Sequence, residues 1–230
     1  MSNNLWQRLG AASGIVYVVV LLGPDLIQGG PSEEPTMTAA EVMAQSCATI
    51  TAAQLTDAIY PITHILGYLF FLFFLGSLWS ALRRAEGADG WLSAAALGGG
   101  LVSLAVRFSG MPTGVAASRN ACAGIDPQLW QVLQDMDSAF YFTSFFPLAI
   151  LSAASAVVVI RFGAPLPRWL GWMSAVVAVA LLVEGFAGTI YTRDFGLSFL
   201  LFLLWTVITS VVLMRRAGQP LPTVESAHRD

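Results

Sequence analysis

Between residues 166 and 193 runs a stretch of about two dozen mostly apolar residues, with Arg168 near its start and Arg193 at its end. That is the length at which a single helix crosses the hydrocarbon core of a bilayer. One acid, Glu184, interrupts it. An ionisable group at membrane depth is costly, so it marks either a site or a partner. Only 11% of the chain is charged and 56% is hydrophobic, with a mean hydropathy of +0.70. Soluble domains carry roughly 25% charged residues, so this chain cannot cover a water-facing surface.

Five further segments read the same way. The first covers residues 11–28 and is interrupted by Pro24 and Asp25. No A-x-A-like cleavage site follows it, so it is expected to stay as a helix. The second ends at Arg83 and Arg84. The third spans 91–111, with Gly98, Gly99 and Gly100 near its middle, where small residues let a neighbouring backbone approach. The fourth spans 140–160 and the sixth 197–214. The fold class is therefore all-α, a polytopic bundle of six transmembrane helices forming one domain over 1–216. The tail 217–230 is expected to be disordered and cytoplasmic.

Two long polar loops, 31–57 and 112–136, interrupt the pattern. Within the first, Thr38 and Glu41 form a capping-box pattern, and Thr51 and Gln54 repeat it. A short surface helix is expected after Thr38, and the second box is expected to open the next long helix. In the second loop, Asp126 followed by Pro127 reads as an N-cap with proline at the first helical position.

Arginine placement sets the threading. Arg8, Arg83, Arg84, Arg161, Arg168, Arg215, Arg216 and Arg229 fall on one side, Arg119 and Arg193 on the other. Both termini are thus expected in the cytoplasm of a multi-pass plasma-membrane protein, with both long loops outside. Each loop holds one of the two cysteines, Cys47 and Cys122, in a compartment where disulfides persist. A disulfide between them is expected; the alternative is two unpaired thiols.

Depth estimates gather several titratable groups into one layer. Glu184 lies sixteen residues past Arg168, and Arg107 sixteen past Trp91, each roughly 24 Å along its helix. Asp25 and His64 fall at about the same height on two other helices. Residues three or four apart share a helix face. His64 and Tyr68 share one stripe, Asp137 and Tyr141 another, and Gly100, Ser103, Arg107 and Gly110 a third. Such stripes are expected to face the bundle interior. Gly100 and Gly110 are expected to leave room beside Arg107, and Arg107 to pair with Glu184 first or Asp25 second.

These residues support two classes of function. The first is a protein that binds a membrane lipid or hydrophobic small molecule, with His64, Arg107, Tyr68, Tyr141 and Asp137 at the site. The second is an intramembrane enzyme in which Glu184 or Asp25 donates a proton to an apolar, isoprenoid-like substrate. A small transporter or accessory subunit is a third possibility; no inverted repeat supports it. No nucleic-acid motif, metal-binding pattern or cofactor motif is present, so neither metal nor cofactor is expected.

Residues 81–87 with Trp91, and Leu166-Pro167-Arg168-Trp169-Leu170-Gly171-Trp172, resemble the cytoplasmic turns of an uncharacterised actinobacterial group of six-helix integral membrane proteins. The resemblance implies six spans and no catalytic motif. The general plan is also similar to that of small membrane-bound terpene cyclases.

Overall fold

Residues 3–28, 37–52, 54–162, 166–191 and 196–216 are described by the computed structural model; side chains at 3–4, 24–28, 49–60 and 189–191 are outside that description. In chain order the helices are α1 (Asn3–Gln28), α2 (Ala39–Ala52), α3 (Gln54–Glu86), α4 (Trp91–Asn120), α5 (Pro127–Thr143), α6 (Phe145–Phe162), α7 (Arg168–Tyr191) and α8 (Leu197–Arg216). Six stretches are long and apolar enough to cross a membrane: Leu5–Gly23, Pro61–Glu86, Trp91–Asn120, Pro127–Phe162, Arg168–Gly188 and Leu197–Arg216. The chain is a multi-pass membrane bundle, with the short helix α2 outside the set of spans.

The spans form a closed ring. α1 packs on α3 and α8, α3 on α4, α4 on α5 and α6, α6 on α7, and α7 on α8. Aromatic side chains fill the middle. Phe71, Phe74, Phe142, Phe145, Phe202 and Trp205 are all fully buried. Their rings run in contact, with Phe71 5.9 Å from Phe202, Phe202 5.6 Å from Trp205 and Phe142 5.7 Å from Phe145. Trp205 brings a polar atom into this core and satisfies it: its Nε1 donates to Ser174 Oγ at 2.8 Å. Ser174 in turn donates to the Leu170 carbonyl.

Glycines set the closest helix contacts, as the run at 98–100 suggests. A Cβ on Gly99 would lie 2.5 Å from the Pro147 carbonyl oxygen of α6, and one on Gly100 2.5 Å from Leu75 of α3. α4 is thereby wedged between both neighbours through consecutive residues. At its start, α4 is capped by the last side chain of α3. Glu86 accepts from the backbone N–H groups of Leu92 and Ser93 at 2.9 and 2.8 Å, satisfying donors that a helix start leaves unpaired.

Two boundaries differ from the sequence expectation, and proline is involved in both. Pro112 does not end the third span; α4 runs on to Asn120, so most of 112–136 is helical rather than loop. The proline deletes one backbone hydrogen bond, but α5 packs beside this part of α4 and holds it. Gly110 meets Phe140, Gly114 meets Asp137, and Ala117 is buried. Conversely, the fourth span is broken at Ser144. Pro147 has no N–H for the Thr143 carbonyl, and its ring crowds that carbonyl. The Ser144 N–H keeps its helical bond to the Phe140 carbonyl at 3.1 Å and shares it with the Tyr141 carbonyl at 3.2 Å, and its hydroxyl donates to the Tyr141 carbonyl.

The end of the bundle that carries α2 has a small core of its own. Ala117, Ala121 and Trp130 pack with Val42, Met43, Cys47, Ile125 and Leu133. The Cys47–Cys122 disulfide joins α2 to the segment just after α4, with Cα atoms 5.1 Å apart. The Thr38 box forms as read: the Thr38 N–H and hydroxyl both donate to Glu41, and the Glu41 N–H returns to Thr38 Oγ1. Asp126 caps α5 by accepting from Gln128 and Leu129, with Pro127 at the first position. The side chains of the Thr51–Gln54 box and the tail 217–230 lie outside the described residues, and α3 begins at Gln54.

Candidate functional site: a guanidinium among aromatic rings

Arg107 is at the centre of the polar layer. It projects from α4 toward α5 and α8, and its guanidinium carbon lies 3.8 Å from the centre of the Tyr141 ring and 5.1 Å from that of Phe199. A cation over a ring face is attracted by the ring quadrupole, by up to about 2 kcal/mol where water is excluded. Tyr141 is braced in turn by Phe145 at 4.9 Å and Phe199 at 5.7 Å. Phe145 and Phe199 are stacked at 6.0 Å. The charge therefore sits on top of the aromatic core.

The expected Arg107–Glu184 pair does not form. Glu184 turns instead to α8, where its Oε2 accepts a 2.7 Å hydrogen bond from the Ser198 N–H. The reason lies in α8 itself, whose first backbone N–H groups have no partner within the helix and attract a carboxylate. Glu184 is buried, and its Oε1 has no hydrogen-bond partner among the described residues; the same holds for Ser198 Oγ. Asp25, the second expected partner, belongs to α1, and its side chain lies outside the described residues. The room expected beside Arg107 is also taken up, since Leu75 covers Gly100 and Phe140 covers Gly110.

Three other residues of the layer do gather around Arg107. Asp137 and Tyr68 lie within Coulombic range of its charge, as does Tyr17 of α1. Asp137 rests against Gly114 of α4, where an added Cβ would be 3.1 Å from Oδ1. Tyr68 touches Phe108 edge-on at 5.1 Å, and His64 touches Tyr68 at 6.2 Å. The cluster thus draws on α1, α3, α4, α5 and α8. Its chemistry is one cation held over two rings, one carboxylate, three phenols and an imidazole at the margin.

Phe199 was not legible as a member of this group. It stands in the first turn of α8 within an apolar run, and nothing in its spacing sets it apart from Phe202. The one available signal was Ser198 beside it, a polar residue at the head of an apolar helix. Among the described residues no group of three or more His, Cys, Asp or Glu is placed to hold a metal ion.

No protein-family model, characterised protein or solved structure matches this chain.

Proposed function

We propose that this protein binds a hydrophobic small molecule or lipid by its polar end, at the Arg107 cluster and close to the outer leaflet. The observation that carries this reading is the guanidinium of Arg107 over Tyr141 and Phe199. A ring face holds the cation without consuming its in-plane N–H donors, which leaves them for an acceptor on a ligand. Arg107, Asp137 and Tyr141 are each only partly buried. The closed aromatic core beneath favours a site entered from one end over a path through the bundle. The direct test is native mass spectrometry of protein purified in mild detergent. Co-purifying lipid-sized mass should be present on the wild type and lost from Arg107→Gln; equal retention by both would overturn the reading.

In this reading both termini are cytoplasmic and the disulfide-bearing end is external, as the arginine bias suggests. Reporter fusions after Gly87 and Pro220 should read as cytoplasmic, and one after Gly124 as external. A cytoplasmic signal at Gly124 would reverse the orientation and place the site at the inner leaflet.

A second reading, an intramembrane enzyme acting on an isoprenoid-like substrate, draws on one observation. Glu184 keeps one oxygen, Oε1, buried and without a hydrogen-bond partner among the described residues, in the place a catalytic carboxyl would need. Glu184→Gln keeps the shape of the side chain and removes its capacity for acid–base chemistry. Loss of turnover with ligand binding intact would favour the enzyme; unchanged behaviour favours binding alone.

A further inference from the structure

The Arg107 cluster contains two opposite charges that do not join. Asp137 and Arg107 sense each other electrostatically, yet no hydrogen bond links them. They also differ in depth. Asp137 rests on Gly114, whose backbone lies about 10 Å along α4 from that of Arg107, toward the end that carries α2. α5 runs the other way and agrees: Asp137 precedes Tyr141, the ring beneath Arg107, by one turn. The cation is therefore the deeper charge and the carboxylate the shallower one.

Between the pair and the surroundings of the bundle lies the contact of α3 with α4. Tyr68 is in contact with Phe108, which is 38% exposed on the outside of α4. Exposed Ile65, Leu66 and Leu69 continue the apolar surface on α3. Acyl chains lying in the bilayer against α3 and α4 would bring a head group alongside Tyr68 and Arg107.

From the order of these charges we infer that the ligand is a zwitterionic amphiphile, with an anionic phosphodiester next to its apolar part and a cationic amine beyond it. The phosphodiester oxygens meet the Arg107 N–H edge, which suits such acceptors in a planar, bidentate geometry. The amine lies one step closer to water, at Asp137. A purely anionic head group satisfies Arg107 but sets nothing against Asp137, and the reversed order of charges places like beside like. The inference rests on the ligand-binding reading above and specifies the head group that site takes.

The test uses the full chain in detergent micelles, titrated separately with phosphatidylethanolamine and phosphatidylglycerol and read by native mass spectrometry. Wild type should bind the amine-bearing lipid about fivefold more tightly, as for one partly exposed charge pair. Asp137→Asn should erase that preference while still binding both lipids, and Asp135→Asn, an exposed neighbour on α5, should leave it intact. Arg107→Gln should weaken both lipids together. Soluble phosphoethanolamine distinguishes the sources of the head group: competition by it at millimolar concentration points to a free compound, and its failure to compete points to a membrane lipid. Equal binding of the two lipids by the wild type, or an unchanged preference in Asp137→Asn, overturns the zwitterion and leaves ligand binding standing. No binding of either lipid overturns both.

Discussion

Glu184 accepts a 2.7 Å hydrogen bond from the backbone N–H of Ser198, fourteen residues further along and at the start of α8. The acid of one span is thereby the cap of the next. A buried N–H stripped of its acceptor costs about 1–3 kcal/mol. Glu184→Ala should therefore lower the melting temperature by several degrees. Glu184→Gln, which keeps an acceptor oxygen, should cost distinctly less. Equal melting temperatures for the two variants would show that the hydrogen bond contributes nothing to stability.

Arg107 should matter to the fold as well as to the ligand. Arg107→Ala removes the cation from both rings and leaves a gap above the aromatic core. A loss of about 2 kcal/mol is expected from the cation–π contacts. Arg119→Ala, at an exposed position in the last turn of α4, should fall within about 0.5 kcal/mol of wild type. Thermal unfolding in detergent compares them; indistinguishable curves would mean that Arg107 is solvated and not held by the rings.

Adjacent glycines in α4 should respond in opposite directions. Nothing lies within 4 Å of a Cβ built on Gly98, whereas one on Gly99 meets the backbone of Pro147 and Leu151 at 2.5 and 2.9 Å. Backbone atoms cannot swing aside as a side-chain tip can. Gly98→Ala should be neutral or stabilising by up to about 1 kcal/mol, since alanine is the better helix former. Gly99→Ala should destabilise, because α4 and α6 must separate. Similar stabilities for the two variants would contradict the close approach.

The capping box on α2 should be acid-sensitive. The backbone N–H and hydroxyl of Thr38 hold the Glu41 carboxyl below its ordinary value. A carboxyl whose folded value is lowered contributes stability that is present above its unfolded value and is lost as pH falls through the folded one. Amide protection in the first turn of α2, taken relative to the intrinsic exchange rate at each pH, should therefore fall on acidification below the ordinary carboxylate range, and Glu41→Gln should flatten that response. A Glu41→Gln profile that retains the full pH dependence would assign it to another group.

The parts of this structure that were legible in the sequence are those set by local chemistry. Thr38 with Glu41, and Asp126 with Pro127, involve groups three residues apart or fewer, and each formed as read. The Cys47–Cys122 bond was also legible, because two cysteines in two loops on one side leave few pairings. Partner choice across helices was not. Arg107 and Glu184 stand at matching depth, but depth fixes only one coordinate. The rotation of α7 decides which neighbour Glu184 meets, and the start of α8 offered backbone donors that no side-chain pattern displays. The two prolines show the same limit: Pro112 sits in a helix held by α5, while Pro147 coincides with a break at Ser144. Their sequences alone do not separate those outcomes.

The Cys47–Cys122 bond also has a topological consequence. Its two ends are 75 residues apart, and the chain between them contains both α3 and α4. A covalent loop that leaves one face of a bilayer and returns to it must cross an even number of times, here twice. The turn at 87–90, exposed at 87–89, is then the far bend of a closed circuit. A protease site placed in that turn should open the circuit without dividing the molecule. On a denaturing gel the nicked protein should migrate as one species until a reductant is added, and only then release two fragments.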